Sequence, residues 1–279
     1  MTRNPSNRIH HGRQLVRRLQ QAYADKTEDF FRGLQNAPGD SADVSIRTFG
    51  PARVLIARGH DWLSRATLNG EETFEQIDEI VAHFAQRGQP CLVEWNPGNC
   101  HRPNSWDSEL GRHLLDLGFR PGGFRCVYVR DLGEPVGDRH PEMTIRHFGP
   151  AELEEYVELA ATVEEWSKDQ KPRESANLVF GKGSEAWHHY VGTLEGTPCC
   201  VASLFVGSDT AYLDWSMTHP GFRRRGCHAA MIRKRLEDAA AAGCDLACSI
   251  TDVGTQSGRN LQREGFRLAY NYVMLRKDP

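Results

Sequence analysis

Thr218-His219-Pro220-Gly221-Phe222-Arg223-Arg224-Arg225-Gly226-Cys227-His228-Ala229 is the stretch whose reading decides the fold. It joins a run of strand character, Thr210 to Thr218, to a run of helix character, Gly226 to Ala242, through a turn rich in arginine and glycine. A strand-to-helix turn presents backbone N–H groups that have no intrahelical partner, and the helix dipole favours negative charge beside them. A pyrophosphate is the natural guest of such a turn. Gly226 lets the backbone approach phosphates that a side chain would obstruct, and Arg223, Arg224 and Arg225 place cations next to it. Downstream, Ala229, Ile232, Leu236 and Ala239 share one helix face, so this helix is expected to lie against a sheet.

Working outward, Met143 to Phe148 reads as a strand and Pro150 to Glu165 as a helix with Leu153, Val157 and Ala160 on one face. Trp166 to Ser184 reads as a connection with room for a short helix. Strands are expected at Trp187 to Leu194 and Cys199 to Val206 ahead of the Thr210 strand. A strand at Leu246 to Ile250, a short helix at Ser257 to Glu264 and a closing strand at Leu268 to Leu275 follow the long helix. Strands in a run, then alternating with helices, predict a mixed α/β sheet.

The other half of the chain repeats parts of this pattern. Ile46-Arg47-Thr48-Phe49-Gly50-Pro51-Ala52 returns as Ile145-Arg146-His147-Phe148-Gly149-Pro150-Ala151. Leu117-Gly118-Phe119-Arg120, with a strand after it, returns as Glu264-Gly265-Phe266-Arg267 before the closing strand. The matches keep their order, with fewer residues between them in the first copy, as a duplication with a shortened first copy requires. That copy reads as helix (72–87), strand (90–95), loop (96–104), helix (107–117) and strand (124–130). Asp131 to Glu142, with two glycines and two prolines, has the composition of a linker. Gln14 to Leu34 reads as an amphipathic helix with Leu15, Leu19, Tyr23, Phe30 and Leu34 inward, packing on the body or on a partner.

The quoted turn resembles the acyl-CoA signature of the GNAT superfamily of N-acyltransferases, Arg/Gln-x-x-Gly-x-Gly/Ala, with Arg223, Gly226 and His228 at its three defined positions. His228 departs from the family's glycine or alanine. The preceding strand, the following helix and Gly265-Phe266 before a closing strand extend the likeness over residues 143–276. The resemblance implies an α/β fold of two GNAT-like halves, the first shortened and the second a complete acyl-CoA-binding domain. The division it implies is a helical extension (1–45), a degenerate first half (46–132), a linker (133–142) and an acyl-CoA-binding half (143–279). No Arg-x-x-Gly-x-Gly turn precedes the 72–87 helix, so the first half is not expected to bind coenzyme A.

The same resemblance implies that the strand before the turn splays from its neighbour. The backbone of Ser216, Met217 and Thr218 would then bond the pantetheine arm as an added strand does, and an amide near the thioester carbonyl would serve as an oxyanion donor. Cofactor contacts are expected from Arg223, Arg224, Arg225, Gly226, Cys227, His228 and Ala229, and from Asn260. Transfer to an amine needs a proton acceptor. Strand alternation puts Tyr212, Asp214, Ser216 and Thr218 on one face, and members of the superfamily often place an acidic base here, so Asp214 is the first candidate. Glu164 and Glu165, at the end of a helix beside the substrate connection, are the second. The tyrosine the family often carries four residues before Gly-Phe is replaced by Leu261, leaving Tyr270, Tyr272 or Ser257 as candidate acids.

Composition narrows the remaining classes. The chain has 279 residues, 39% hydrophobic and 25% charged, with a net charge of −3. That balance speaks against coating nucleic acid or anionic membranes through bulk charge. No apolar run approaches the ~20 residues of a membrane span. The eight cysteines form no C-x-x-C pairs, so reduced thiols, a cytoplasmic setting and no metal are expected. The expected activity is acyl transfer from acetyl-CoA to a primary amine on a small molecule or peptide, by direct transfer. A non-catalytic acyl-CoA sensor and an enzyme using a longer acyl chain are the alternatives. The acceptor and the oligomeric state are not readable from the chain.

Overall fold

The first helix, α1 (Gly12–Gln35), turns Leu15, Leu19, Tyr23, Phe30, Phe31 and Leu34 inward at helical spacing, as its sequence pattern predicts. Each such side chain contributes about 1.5–3 kcal/mol by leaving water. The computed structural model describes residues 12–36, 43–57, 63–96, 109–138, 140 and 142–279. The start of the N-terminal extension, most of the 96–104 loop and the first two residues of the expected 107–117 helix lie outside them.

Strands β1 (Val44–Phe49), β2 (Ala52–Ala57) and β3 (Arg65–Leu68) precede α2 (Phe74–Ala85). The sequence pattern left all three unassigned, although the Ile46–Ala52 repeat marks the first hairpin. β4 (Cys91–Trp95), α3 (Glu109–Asp116) and β5 (Arg120–Asp131) complete the first half. The second holds β6 (Met143–Phe148), α4 (Leu153–Glu164), α5 (Gln170–Ala176), β7 (Trp187–Leu194), β8 (Thr197–Val206) and β9 (Thr210–Thr218). It ends with α6 (Cys227–Ala241), β10 (Leu246–Asp252), α7 (Gln256–Arg263) and β11 (Arg267–Lys277). A single-turn π-helix, Asn177–Gly181, follows α5.

The eleven strands of the described residues form one mixed sheet in the order β1-β2-β3-β4-β11-β5-β10-β9-β8-β7-β6. The two halves exchange their closing strands. β11 lies antiparallel between β4 and β5, and β5 lies antiparallel between β11 and β10. Each closing strand thereby satisfies the backbone groups of an edge that the other half would leave open.

Four hydrophobic clusters assign the layers. α1 packs on one face of the sheet across both halves, against Leu55 of β2 and Phe205 and Tyr212 of β8 and β9. α4 covers the same face further along. On the opposite face α2 and α3 cover the first half, and α6 and α7 cover the second. No helix among the described residues is long and apolar enough to cross a membrane.

Candidate active site

β9 and β10 run parallel and pair only at Thr210–Leu246, Ala211–Ala247 and Tyr212–Cys248. Beyond Tyr212 the two strands separate. The Ser249 hydroxyl donates to the Leu213 carbonyl at 2.8 Å and closes the base of the opening. The resulting cleft holds a cavity of about 110 Å³, with Trp215, Ser216, His228, Arg235, Ser257 and Leu261 among its walls.

The other wall of β9 is irregular. Ala202 pairs with Ser216 and Ser203 with Asp214, so Trp215 is an extra residue without a partner on β8. Such a bulge breaks the two-residue alternation. The expected common face for Tyr212, Asp214, Ser216 and Thr218 is corrected accordingly. Asp214 faces α1, whereas Ser216 and Thr218 pair with Ala202 and Cys200, whose side chains lie in the α6 core. Both hydroxyls are buried and bond to nothing among the described residues. Orphaned polar atoms beside an open strand edge fit a ligand that supplies the missing partners.

At the open end of the cleft the chain turns into α6. His219 donates its N–H to the Cys199 carbonyl at 2.9 Å, and its ring nitrogen Nδ1 accepts from the Gly221 N–H at 3.2 Å. Gly226 is the N-cap of α6 with φ +83°, and no side chain among the described residues caps the first-turn N–H groups. These amides, including those of Cys227, His228 and Ala229, suit an anion. The arginines divide. Arg225 pairs with Glu195, and its carbonyl accepts from His140 Nε2 at 2.9 Å. Arg223 touches only the Thr218 carbonyl, at 3.4 Å, and Arg224 has no partner among the described residues. The Cys227 side chain is buried, its sulfur 3.8 Å from that of Cys199.

His228 turns into the cleft wall. Burial, and then the charge of Arg235, push its imidazole down to about 4, so it is neutral at pH 7. Its Nδ1 lies 2.9 Å from Asn260 Nδ2 and accepts from that amide. The Asn260 oxygen is itself taken by Gln256 at 2.8 Å. Asn260 thereby orients the His228 ring on the cleft wall.

The expected catalytic residues are also redistributed. Asp214 is gripped by Lys182 at 2.6 Å and Lys26 of α1 at 3.1 Å. Burial works to raise its carboxyl, but the two ammonium groups prevail and hold it well below the usual range. A carboxylate held in this way anchors α1 and is a poor proton acceptor near neutrality. Tyr270 sits on β11 under α1, two strands from β10 and so about 10 Å away, and burial raises its phenol. It cannot donate into the cleft, and Tyr272 lies on the same α1 face. Met217 exposes its side chain on the α4 side and offers only backbone to the cleft. Glu165 is exposed at the end of α4 with φ 55°, its carboxylate 3.8 Å from His219.

Glu164 differs from these. Its Oε2 accepts from the Trp166 indole at 2.9 Å, while Oε1 is buried without a partner among the described residues. Burial, with the nearby Glu174 carboxylate adding to it, pushes the carboxyl up to about 7. Trp166 packs into the same cluster as Trp215, which connects Glu164 to the wall of the cleft. Asn177, 5% exposed, leaves a second oxygen unpartnered, and its amide donates to Glu174 at 3.3 Å.

The first half carries a parallel pair, β3 and β4, equivalent to β9 and β10. At its strand-to-helix turn the Glu72 carboxylate accepts from the Asn69 and Gly70 N–H groups at 2.7 and 2.8 Å. Thr73 and Gln76 then close a capping box on α2. The Asn69, Gly70, Thr73 and Gln76 amides of this turn are thereby bonded by the chain's own side chains.

No family model and no curated protein sequence matches the chain. Solved structures do. The GCN5-related N-acetyltransferase from Kribbella flavida is 18% identical, with 92% of this chain and 95% of that one covered at a TM-score of 0.63. The tandem GNAT protein from the clavulanic acid biosynthesis pathway is 11% identical, with 93% and 95% covered at 0.62. The GCN5-related N-acetyltransferase from Sphaerobacter thermophilus is 16% identical, with 91% and 93% covered at 0.53. At these identities the likeness establishes the fold. The chain has the GNAT fold in its tandem form, two related halves in one polypeptide.

Proposed function

We propose that the chain is an acyl-CoA-dependent N-acyltransferase whose single active site lies in the second half, residues 143–279. The observation that carries this reading is the parting of β9 from β10 beside an uncapped, glycine-led helix N-terminus, with two orphaned hydroxyls on the β9 strand that borders the opening. In this reading the first turn of α6, with Arg223 and Arg224, holds the diphosphate, and the Ser216–Thr218 edge holds the pantetheine arm. The small cavity favours an acetyl group over a long acyl chain. The first half, residues 46–132, contributes its closing strand to the sheet but no second site, because Glu72 fills its turn.

Glu164 is the proposed proton acceptor for the amine, approaching from the α4 side between Trp166 and Trp215. Ser257, on the cavity wall near the start of α7, is the hydroxyl best placed to meet the departing thiolate. With the Glu164 carboxyl at about 7, kcat/KM for an amine acceptor should rise with pH through that value. Glu164→Gln should remove this limb and lower turnover about 100- to 10,000-fold. Its effect on stability runs the other way. A carboxyl raised from 4.5 to about 7 loses its stabilising contribution as pH rises through that interval. The glutamine variant should therefore melt higher than wild type at pH 8. Thiol release from acetyl-CoA over a panel of primary amines, with melting curves alongside, measures both. An unchanged pH profile in the variant would remove Glu164 from the mechanism.

A further inference from the structure

Arg235, on the third turn of α6, is only 2% exposed and lines the cleft. No carboxylate among the described residues forms an ion pair with it, since Asp214 turns its own carboxylate toward Lys26 and Lys182. Burial lowers its pKa to about 10, so the guanidinium stays charged at neutral pH. Placing an unpaired cation in the core is costly unless its charge is used.

Its hydrogen bonds show where that charge is directed. Nε donates to the Met231 carbonyl at 3.1 Å within α6. Nη1 donates to the Ser203 carbonyl at 3.0 Å and to the Asp214 carbonyl at 2.9 Å. Both carbonyls belong to the bulge, where the register of β8 and β9 slips. The Asp214 carbonyl and the Trp215 N–H share one peptide unit, and the chain contains no cis peptide bond among its described residues. In a trans peptide the two groups point in opposite directions. The Trp215 N–H therefore points away from Arg235, on the stretch of β9 where pairing with β10 has already ended. Trp215 is also the one residue of the bulge without a register partner on β8. A charged donor on the carbonyl of an amide polarises it and strengthens the N–H of the same unit as a donor.

We propose that Arg235 is a positioning residue for acyl transfer: it fixes and polarises the Asp214–Trp215 peptide so that the Trp215 N–H binds the carbonyl oxygen of the acyl thioester. This rests on the acyl-CoA reading of the cleft. As the amine attacks, negative charge grows on that oxygen, and a preorganised donor backed by a buried cation stabilises it. No other described side chain bonds the Asp214 carbonyl.

Isotope-edited infrared difference spectra of acetyl-CoA, labelled with carbon-13 at the thioester carbonyl, test the proposal without an acceptor amine. In the wild-type complex the carbonyl band should lie at lower frequency than in free acetyl-CoA. In Arg235→Met that displacement should disappear while calorimetric affinity for acetyl-CoA changes only severalfold, and Arg235→Lys should restore part of it. A residue that merely fills the bulge would leave the band in the same place in all three proteins, which overturns the proposal. An undisplaced band in wild type overturns it even where the methionine variant fails to fold. Absence of any acetyl-CoA binding to wild type would instead remove the acyl-CoA reading itself.

Discussion

Replacing Gly226 by glutamate is expected to abolish acetyl-CoA binding. Three effects act in the same direction. Residue 226 has φ +83°, which L side chains adopt at a cost of about 1–2 kcal/mol. A Cβ there would lie 3.0 Å from His140 Cδ2, disturbing the ring that donates to the Arg225 carbonyl and steadies the turn. The new carboxylate would lie at the N-terminus of α6, where it would occupy the anion site itself and repel the diphosphate. Together these should weaken binding more than 100-fold, or about 2.7 kcal/mol. Gly226→Ala separates the terms, because it keeps the strain and the contact but adds no charge. It should bind measurably, and its melting temperature should match that of the glutamate variant. Equal loss in both variants would assign the effect to the turn's shape and not to an anion site.

Asp214→Asn should be among the most destabilising single changes in the chain, at about 3–5 kcal/mol. The substitution leaves the ammonium groups of Lys26 and Lys182, with side chains 13% and 10% exposed, buried without their counter-charge. The dependence on pH follows from the sign of the shift. The Asp214 carboxyl is depressed below its ordinary value of 3.8. Its contribution is therefore complete above that value and is lost as pH falls toward the folded-state value. Urea unfolding at pH 7 should show the full difference between wild type and variant, and unfolding near pH 3 a smaller one. A general base at this position would behave differently, losing turnover with stability intact. That second pattern would return Asp214 to the chemistry and displace Glu164.

What the chain reveals before folding, and what it hides, has a physical pattern. The turn from Thr218 to Ala229 and the strands and helices of the second half are local features, set by periodicity and by glycine and proline placement. They appear where the pattern puts them. The exchange of β5 and β11 is not local, since Arg120–Asp131 and Arg267–Lys277 have the same strand character whichever neighbour they choose. The bulge at Trp215 is invisible to alternation, and it moves Asp214 to the face opposite Ser216 and Thr218. The fate of Asp214 depends on Lys26, 188 residues away on a helix that reads only as an amphipathic extension. Arg235 did leave a trace. It stands three residues after Ile232 and four after Met231, on the inward stripe of α6, where a charge has no ordinary reason to be.

The most direct test is a calorimetric titration of acetyl-CoA into the wild-type chain. The expected result is micromolar affinity, about −8 kcal/mol, with one molecule bound per chain. Two molecules per chain would contradict the closure of the first-half turn by Glu72, and no heat at all would contradict an acetyl-CoA site between β9 and β10.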